Sequence, residues 1–297
     1  MSTSRTTLTV ADGRRLDLAV SGPDDGPVLV FHHGTPGSAD PMRTVSGPCD
    51  GRGLRVVTWS RPGYAGSTRL PGRDVAHAAE DLVAVLDHLG VGEAWVGGWS
   101  GGGPHALACA AGAPDRVTGV FVVAGVAPYD APGLDWSAGM GEDNQEEFAA
   151  TVAGEAALRD YLDAVAPGLA GVTPDQIVGE LSSLLPPVDV AVLSGDDGLA
   201  FAEDLARNCR TALATGIDGW VDDDLSFARP WGFDLAGVGP VHVWQGTEDL
   251  MVPFAHGEWL AANLPDAVPH LLAGDGHVSL VTRMGVMLDE LLRTPRR

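Results

Sequence analysis

The stretch Glu93-Ala94-Trp95-Val96-Gly97-Gly98-Trp99-Ser100-Gly101-Gly102-Gly103-Pro104-His105-Ala106-Leu107-Ala108 decides how the rest of the chain is read. Its apolar, β-prone run Ala94 to Val96 reaches a serine fenced by glycines, and an alanine-rich, helix-like run leaves it. Gly98-Trp99-Ser100-Gly101-Gly102 fits G-x-S-x-G, the pattern of a strand that turns at once into a helix. Such a turn forces Ser100 into a strained backbone conformation, and glycines two before and two after it remove side chains that would clash. The serine hydroxyl then stands exposed at the end of the strand, with the free N–H groups of a helix N-terminus behind it. Because 40 of the 297 residues are Gly, the pattern alone does not separate this turn from an ordinary Gly-rich one. The surrounding chain has to decide.

Upstream, Thr7 to Val10 and Arg15 to Ser21 alternate around the turn Ala11-Asp12-Gly13, which predicts an antiparallel hairpin at a sheet edge. Pro27-Val28-Leu29-Val30-Phe31-His32-His33-Gly34 and Leu54-Arg55-Val56-Val57-Thr58-Trp59-Ser60 read as strands buried on both faces. A helix is expected from about Asp74 to Leu89, where Leu82, Val85, Leu86 and Leu89 recur at helical spacing and Gly90 is the stop. After Ser100 comes another continuous strand, Val117 to Ala124. Strands alternating with helices predict a parallel sheet covered by helices. Strand pattern returns at Val241 to Gln245 and Val268 to Leu272, with helices over Ala255 to Asn263 and Ser279 to Leu292.

Between these halves, residues 128–236 carry little strand signal and several helix-like segments (Glu142 to Gly154, Glu155 to Ala166, Thr173 to Leu185, Gly198 to Thr215). This stretch holds 21 acidic and 4 basic residues, so it accounts for most of the net charge of −22 and is expected to present an acidic surface. Every one of the 18 basic residues is Arg, which reads as compositional bias. The charge argues against nucleic acid or an anionic membrane as partner. Cys49, Cys109 and Cys209 are scattered, with no C-x-x-C, and imply neither a disulfide framework nor a metal site. With no apolar leader and no run near the roughly 20 residues of a membrane span, a cytoplasmic location is expected.

A serine needs a base, the base an orienting carboxylate, and the oxyanion donors. In a parallel sheet such groups belong in loops after the C-terminal ends of strands. The loop after Val241 to Gln245 is Gly246-Thr247-Glu248-Asp249-Leu250-Met251-Val252-Pro253, and the loop after the last strand is Ala273-Gly274-Asp275-Gly276-His277-Val278. The order Ser100, Asp249, His277 is that of the α/β-hydrolases. Over roughly 7–127 and 237–293 the sequence resembles that superfamily. His33-Gly34-Thr35-Pro36-Gly37 is similar to its H-G-x-P-G oxyanion loop, and Arg61-Pro62-Gly63-Tyr64-Ala65-Gly66-Ser67 to the turn after its fourth strand. Gly246-x-x-Asp249-x-x-Val252-Pro253 with Gly276-His277 is similar to its acid and base loops.

The resemblance implies an α/β fold with a mostly parallel eight-stranded sheet flanked by helices. Its core would be 1–127 and 237–297, and 128–236 would be a helical acidic cap. It implies Ser100 as nucleophile, His277 as general base and then acid, and Asp249 as the group that fixes the imidazole tautomer. Backbone N–H groups of Thr35 and Gly101 would hold the oxyanion, at about 3 kcal/mol for one such donor in other hydrolases. Glu248 competes with Asp249, and the register favours Asp249. Asp275 reads as a turn residue, His33 as a loop organiser, Cys109 as core packing, and Asp222-Asp223-Asp224 as a solvated turn in preference to a metal site.

The implied function is a serine hydrolase cleaving an ester or related acyl bond of a small, apolar or aromatic molecule, without metal or cofactor, as a monomer or homodimer. Tyr129, Trp136 and Trp220 are expected pocket residues, while Trp99 stands equally for pocket and core. One alternative is a proline iminopeptidase-like aminopeptidase, with Glu142, Asp143, Glu146 and Glu147 offered to a substrate's amino terminus. Against it, Arg61-Pro62-Gly63 departs from the D-Q-R-G-x-G-x-S pattern usual there. Another is a ligand-binding homologue of low turnover. The same three residues also leave C–C bond cleavage and acyl transfer open.

Overall fold

The computed structural model describes residues 3–195 and 198–293. Eight strands form one sheet: β1 Thr3–Thr9, β2 Arg15–Ser21, β3 Val28–His32, β4 Arg55–Trp59, β5 Ala94–Trp99, β6 Val117–Val123, β7 Val241–Gly246 and β8 Ala267–Leu272. Their order is β1-β2-β4-β3-β5-β6-β7-β8. The hairpin β1–β2 is antiparallel, as its alternation predicts, and β2 also runs antiparallel to β4. All remaining pairs are parallel. Strands β3, β5 and β7 are buried along their whole length, which explains the apolar runs Val28 to Phe31 and Ala94 to Val96. The edge strands β1 and β8 are largely open to solvent.

The strand order reverses between β3 and β5. The chain steps from β3 outward to β4, then returns to place β5 on the other side of β3. At such a switch point the loops leaving two adjacent strands diverge and open a crevice. Here Phe31 pairs with Gly97 and His32 with Gly98, so β3 and β5 end level. The loops that begin at His33 and Ser100 therefore start side by side. Likewise Gly246 pairs with Leu272, which brings the loops after β7 and β8 together at the same end of the sheet.

Helices Ala78–Leu89 and Gly102–Gly112 pack on one face, and their leucines and alanines join one apolar cluster with β3, β5 and β6. The helices Arg43–Asp50 and Met284–Arg293 pack against each other and contribute to a second cluster on Leu29, Phe121 and Trp244. The final helix expected over Ser279 to Leu292 is instead two, His277–Val281 and Met284–Arg293.

Between β6 and β7 the chain is helical: Glu142–Ala153, Glu155–Ala170, Ile177–Glu180, Pro187–Ser194, Gly198–Ala212 and Asp218–Phe227. Two expectations fail here. Thr173 to Leu185 is helical only over Ile177–Glu180, its Leu184 and Leu185 burying themselves outside any helix. Asp222-Asp223-Asp224 is no solvated turn but the middle of the helix Asp218–Phe227, with all three aspartates buried. Nor is the acidic charge wholly on the surface. Among the described residues Glu147, Asp189, Asp204, Asp222, Asp223 and Asp224 are buried, each held by partners described below or by arginines such as Arg43 and Arg69.

Candidate active site

Ser100 has φ +56°, a left-handed backbone conformation that costs a non-glycine residue about 1–2 kcal/mol. The fold holds it there by bonding Ser100 N–H to Val123 O at 2.9 Å and Gly103 N–H to Ser100 O at 2.8 Å. The flanking glycines are sterically required. A Cβ on Gly98 would lie 2.1 Å from Gly102 O, and one on Gly102 would lie 2.3 Å from His32 O.

Beside the elbow runs the His33–Gly37 loop. A Cβ on Gly34 would stand 3.4 Å from Ser100 Cβ, and one on Gly101 would strike Thr35 Oγ1 at 2.3 Å. Among the described residues, neither Thr35 N–H nor Gly101 N–H has a protein acceptor. His33 organises this loop as expected: Nδ1 bonds Gly34 O at 2.7 Å and Nε2 accepts from Arg61 N–H at 3.2 Å. Burial, with Arg61 beside it, holds the His33 pKa well below that of a free imidazole, which keeps the ring neutral for this double role.

At the ends of β7 and β8, His277 Nδ1 lies 2.8 Å from Asp249 Oδ2, and both side chains are buried. The other Asp249 oxygen accepts Met251 N–H at 2.9 Å and Val252 N–H at 2.8 Å, and Gln245 Nε2 donates to Oδ2 at 3.1 Å. Glu248 is exposed and accepts from Thr247 Oγ1 at 3.2 Å. Asp275 pairs with Arg283 at 2.6 Å. A carboxylate fixed at one imidazole nitrogen leaves the other free to take a proton. Ser100 and His277 line one cavity of about 430 Å³, and no hydrogen bond joins them in this structure.

The roof of that cavity comes from the helices between β6 and β7. Trp99 and Trp220 lie on its wall. Trp99 also packs on the His277 ring at 5.2 Å and donates to His277 O at 3.3 Å. Tyr129 and Trp136, expected in the pocket, are not on its wall. Trp136 turns inward to donate to Ala127 O at 2.7 Å and packs on Phe148 and His256, while Tyr129 leans on Trp136 from outside. Their aromatic character serves the packing of the insertion on the core.

Carboxyls also reach the cavity. Glu147 accepts from Trp220 Nε1 at 2.6 Å and meets Asp224, whose Oδ2 is buried without a partner. Burial first, and for Asp224 the neighbouring Glu147 next, raises both pKa values.

Sequence reasoning missed two further aspartates. Asp189, at the start of the helix Pro187–Ser194, accepts Val278 N–H at 3.0 Å and Ser279 N–H at 2.8 Å, and so caps the helix that begins at His277. Asp223 binds Arg61, Arg73, Tyr64 and Thr35 beneath the His33–Gly37 loop. Pro186-Pro187 could have signalled the first, since proline favours the opening turn of a helix. For the second only the arginine of Arg61-Pro62-Gly63 gave a hint.

Known proteins bear on these features. The family profile described as alpha/beta hydrolase fold matches residues 27–283. A bifunctional esterase/perhydrolase of Acinetobacter calcoaceticus is 37% identical over 123 residues, 41% of this chain and 45% of that protein, so the match spans less than half of that relative. A non-heme chloroperoxidase of Streptomyces lividans is 29% identical across 96% of this chain and 98% of its own. Among solved structures, epoxide hydrolase A of Mycobacterium thermoresistibile superposes with a TM-score of 0.68 at 22% identity, covering 100% of both chains.

Proposed function

The chain belongs to the α/β-hydrolase fold family, and from that premise we propose that it is a serine hydrolase that cleaves an ester bond of a small molecule through an acyl-enzyme. In this reading Ser100 Oγ attacks the carbonyl carbon while His277 Nε2 takes its proton. The tetrahedral oxyanion accepts from Thr35 N–H and Gly101 N–H. On collapse the ester C–O bond breaks and His277 protonates the leaving alcohol. Water, deprotonated by the same imidazole, then releases the acid and restores Ser100. Asp249 keeps the proton on Nδ1 and offsets the charge of the imidazolium. The missing Ser100–His277 hydrogen bond is compatible with this, since such bonds often tighten only with substrate in place.

The observation that carries the reading is His277, held by Asp249 at 2.8 Å, on the same cavity wall as a serine at φ +56°. Relatives named for epoxide hydrolysis share the fold, but a serine at position 100 favours attack on an acyl carbon and a hydrolysable acyl-enzyme. Residues 128–236 would act as the cap, with Trp99 and Trp220 contacting the acyl or alcohol group.

A second reading is supported by Glu147 and Asp224 on the cavity wall. A protonated substrate amine placed between them would offset the charge of the two carboxylates, as an aminopeptidase acting on short substrates would require. Parallel assays with p-nitrophenyl esters and a prolyl-naphthylamide separate the two. Faster turnover of the amide would replace the esterase reading by the peptidase one. A fluorophosphonate that fails to label Ser100 would overturn both and leave a ligand-binding homologue.

A further inference from the structure

The peptide between Gly34 and Thr35 carries, at one end, the N–H that the proposed function assigns to the oxyanion. At its other end, Gly34 O accepts from Arg61 Nη2 at 2.9 Å and is met by His33 Nδ1 at 2.7 Å. A planar trans peptide points its C=O and N–H in opposite directions, so whatever grips Gly34 O also aims Thr35 N–H. Arg61 grips the neighbouring carbonyl too, donating to His33 O at 2.5 Å, and reaches Thr35 Oγ1 at 2.9 Å.

Arg61 is itself aimed by a residue 162 positions away from it in the chain. Asp223, from the inserted helix Asp218–Phe227, accepts from Arg61 Nη2 at 2.5 Å, Arg73 Nη2 at 2.5 Å and Tyr64 Oη at 2.9 Å. It also accepts directly from Thr35 Oγ1 at 2.8 Å. Its carboxylate is fully buried and Arg61 only 2% exposed, so no water competes for these bonds. Two arginines against one aspartate keep the carboxylate ionised despite burial. We propose that Asp223 is a positioning residue for the oxyanion donor: acting through Arg61 and Thr35 Oγ1, the inserted helix holds the Gly34–Thr35 peptide with its N–H toward the Ser100 side.

The inference rests on the serine-hydrolase reading and is tested separately from it. An alkyl or aryl boronic acid forms a tetrahedral adduct with an active serine, whereas the carboxylic acid product reports ground-state binding. Asp223→Asn is expected to lower kcat and boronate affinity together by about 100-fold, the scale of losing one oxyanion donor, with KM and product affinity within about threefold. Because that change leaves Arg61 and Arg73 without their anion, a gentler pair decides if the variant does not fold. Thr35→Val should lower kcat and boronate affinity about tenfold at unchanged KM, and Thr35→Ser, which keeps the hydroxyl, should restore both. A folded Asp223→Asn, or failing that Thr35→Val, with kcat within threefold of the wild type overturns the proposal. So does a loss shared equally by product affinity. If the wild-type protein forms no boronate adduct at all, the serine-hydrolase reading falls first.

Discussion

Glu147 and Asp224 meet inside the cavity wall as two carboxyls whose pKa values burial raises, on the helices Glu142–Ala153 and Asp218–Phe227. Both come from the segment inserted between β6 and β7, and both are cut off from bulk water. Their meeting sets a pH response opposite to the one Asp223 sets.

A carboxyl whose folded pKa lies above its unfolded value binds more protons in the folded state, so it favours folding at low pH and disfavours it as pH rises. Asp224 and Glu147 are both of this kind. Asp224→Asn, which needs no proton, should therefore gain stability relative to the wild type as pH goes from 5 to 8. Thermal unfolding of both proteins across that range measures it. A constant difference in Tm would contradict the raised carboxyl pKa values.

Asp223 behaves in the other sense. Its folded pKa is depressed, so its contribution is present above the ordinary carboxylate range and is lost as pH falls below that range. Asp223→Asn should cost about 3–5 kcal/mol near pH 7, because a broken buried pair leaves uncompensated charge. The cost should shrink in acid. Urea unfolding at pH 7 and pH 3.5 gives both values.

Ser100→Ala should remove activity and fluorophosphonate labelling while changing stability by less than about 1 kcal/mol, a small surface-like effect for a part-exposed residue. Ser100→Gly should be equally inactive yet more stable than the alanine variant by about 1 kcal/mol, since glycine adopts φ +56° without strain. Residual turnover within tenfold of the wild type would refute the role given to Ser100.

Asp249→Asn should lower kcat by about 10⁴ if it acts like the corresponding change in serine proteases, through the wrong imidazole tautomer. Glu248→Gln, on an exposed side chain, should change kcat by less than about threefold. Steady-state kinetics on one ester substrate compares them directly. A larger loss at Glu248 would reverse the assignment.

The motifs that announced this fold are short and local, which is why they were legible. Gly98 to Gly102, His33 to Gly37, Asp249 and His277 each sit in one loop, and the strands before the first two begin as buried apolar runs. What stayed hidden depended on distant partners. Asp222-Asp223-Asp224 looks solvated because nothing nearby in sequence could neutralise it. Arg61, Arg69 and Arg73, about 150 residues earlier, do so for Asp222 and Asp223 only in the folded chain. Tyr129 and Trp136 misled for a related reason, since an aromatic in an inserted segment can face ligand or core and composition does not distinguish them. Thr173 to Leu185 reads as one helix-like segment, but its Leu184 and Leu185 are buried outside any helix.

Asp189 and Asp223 reach from the inserted helices to opposite sides of the elbow, one onto the turn that carries His277 and the other beneath Thr35. Grafting a foreign insertion onto this sheet would keep every residue of the Ser100, Asp249 and His277 set and still strip away both anchors, leaving Arg61 and Arg73 without an anion. On the proposed reading, the roof over Ser100 and the anchors of the loops beside it thus come from one segment: a new roof has to arrive with its own aspartates.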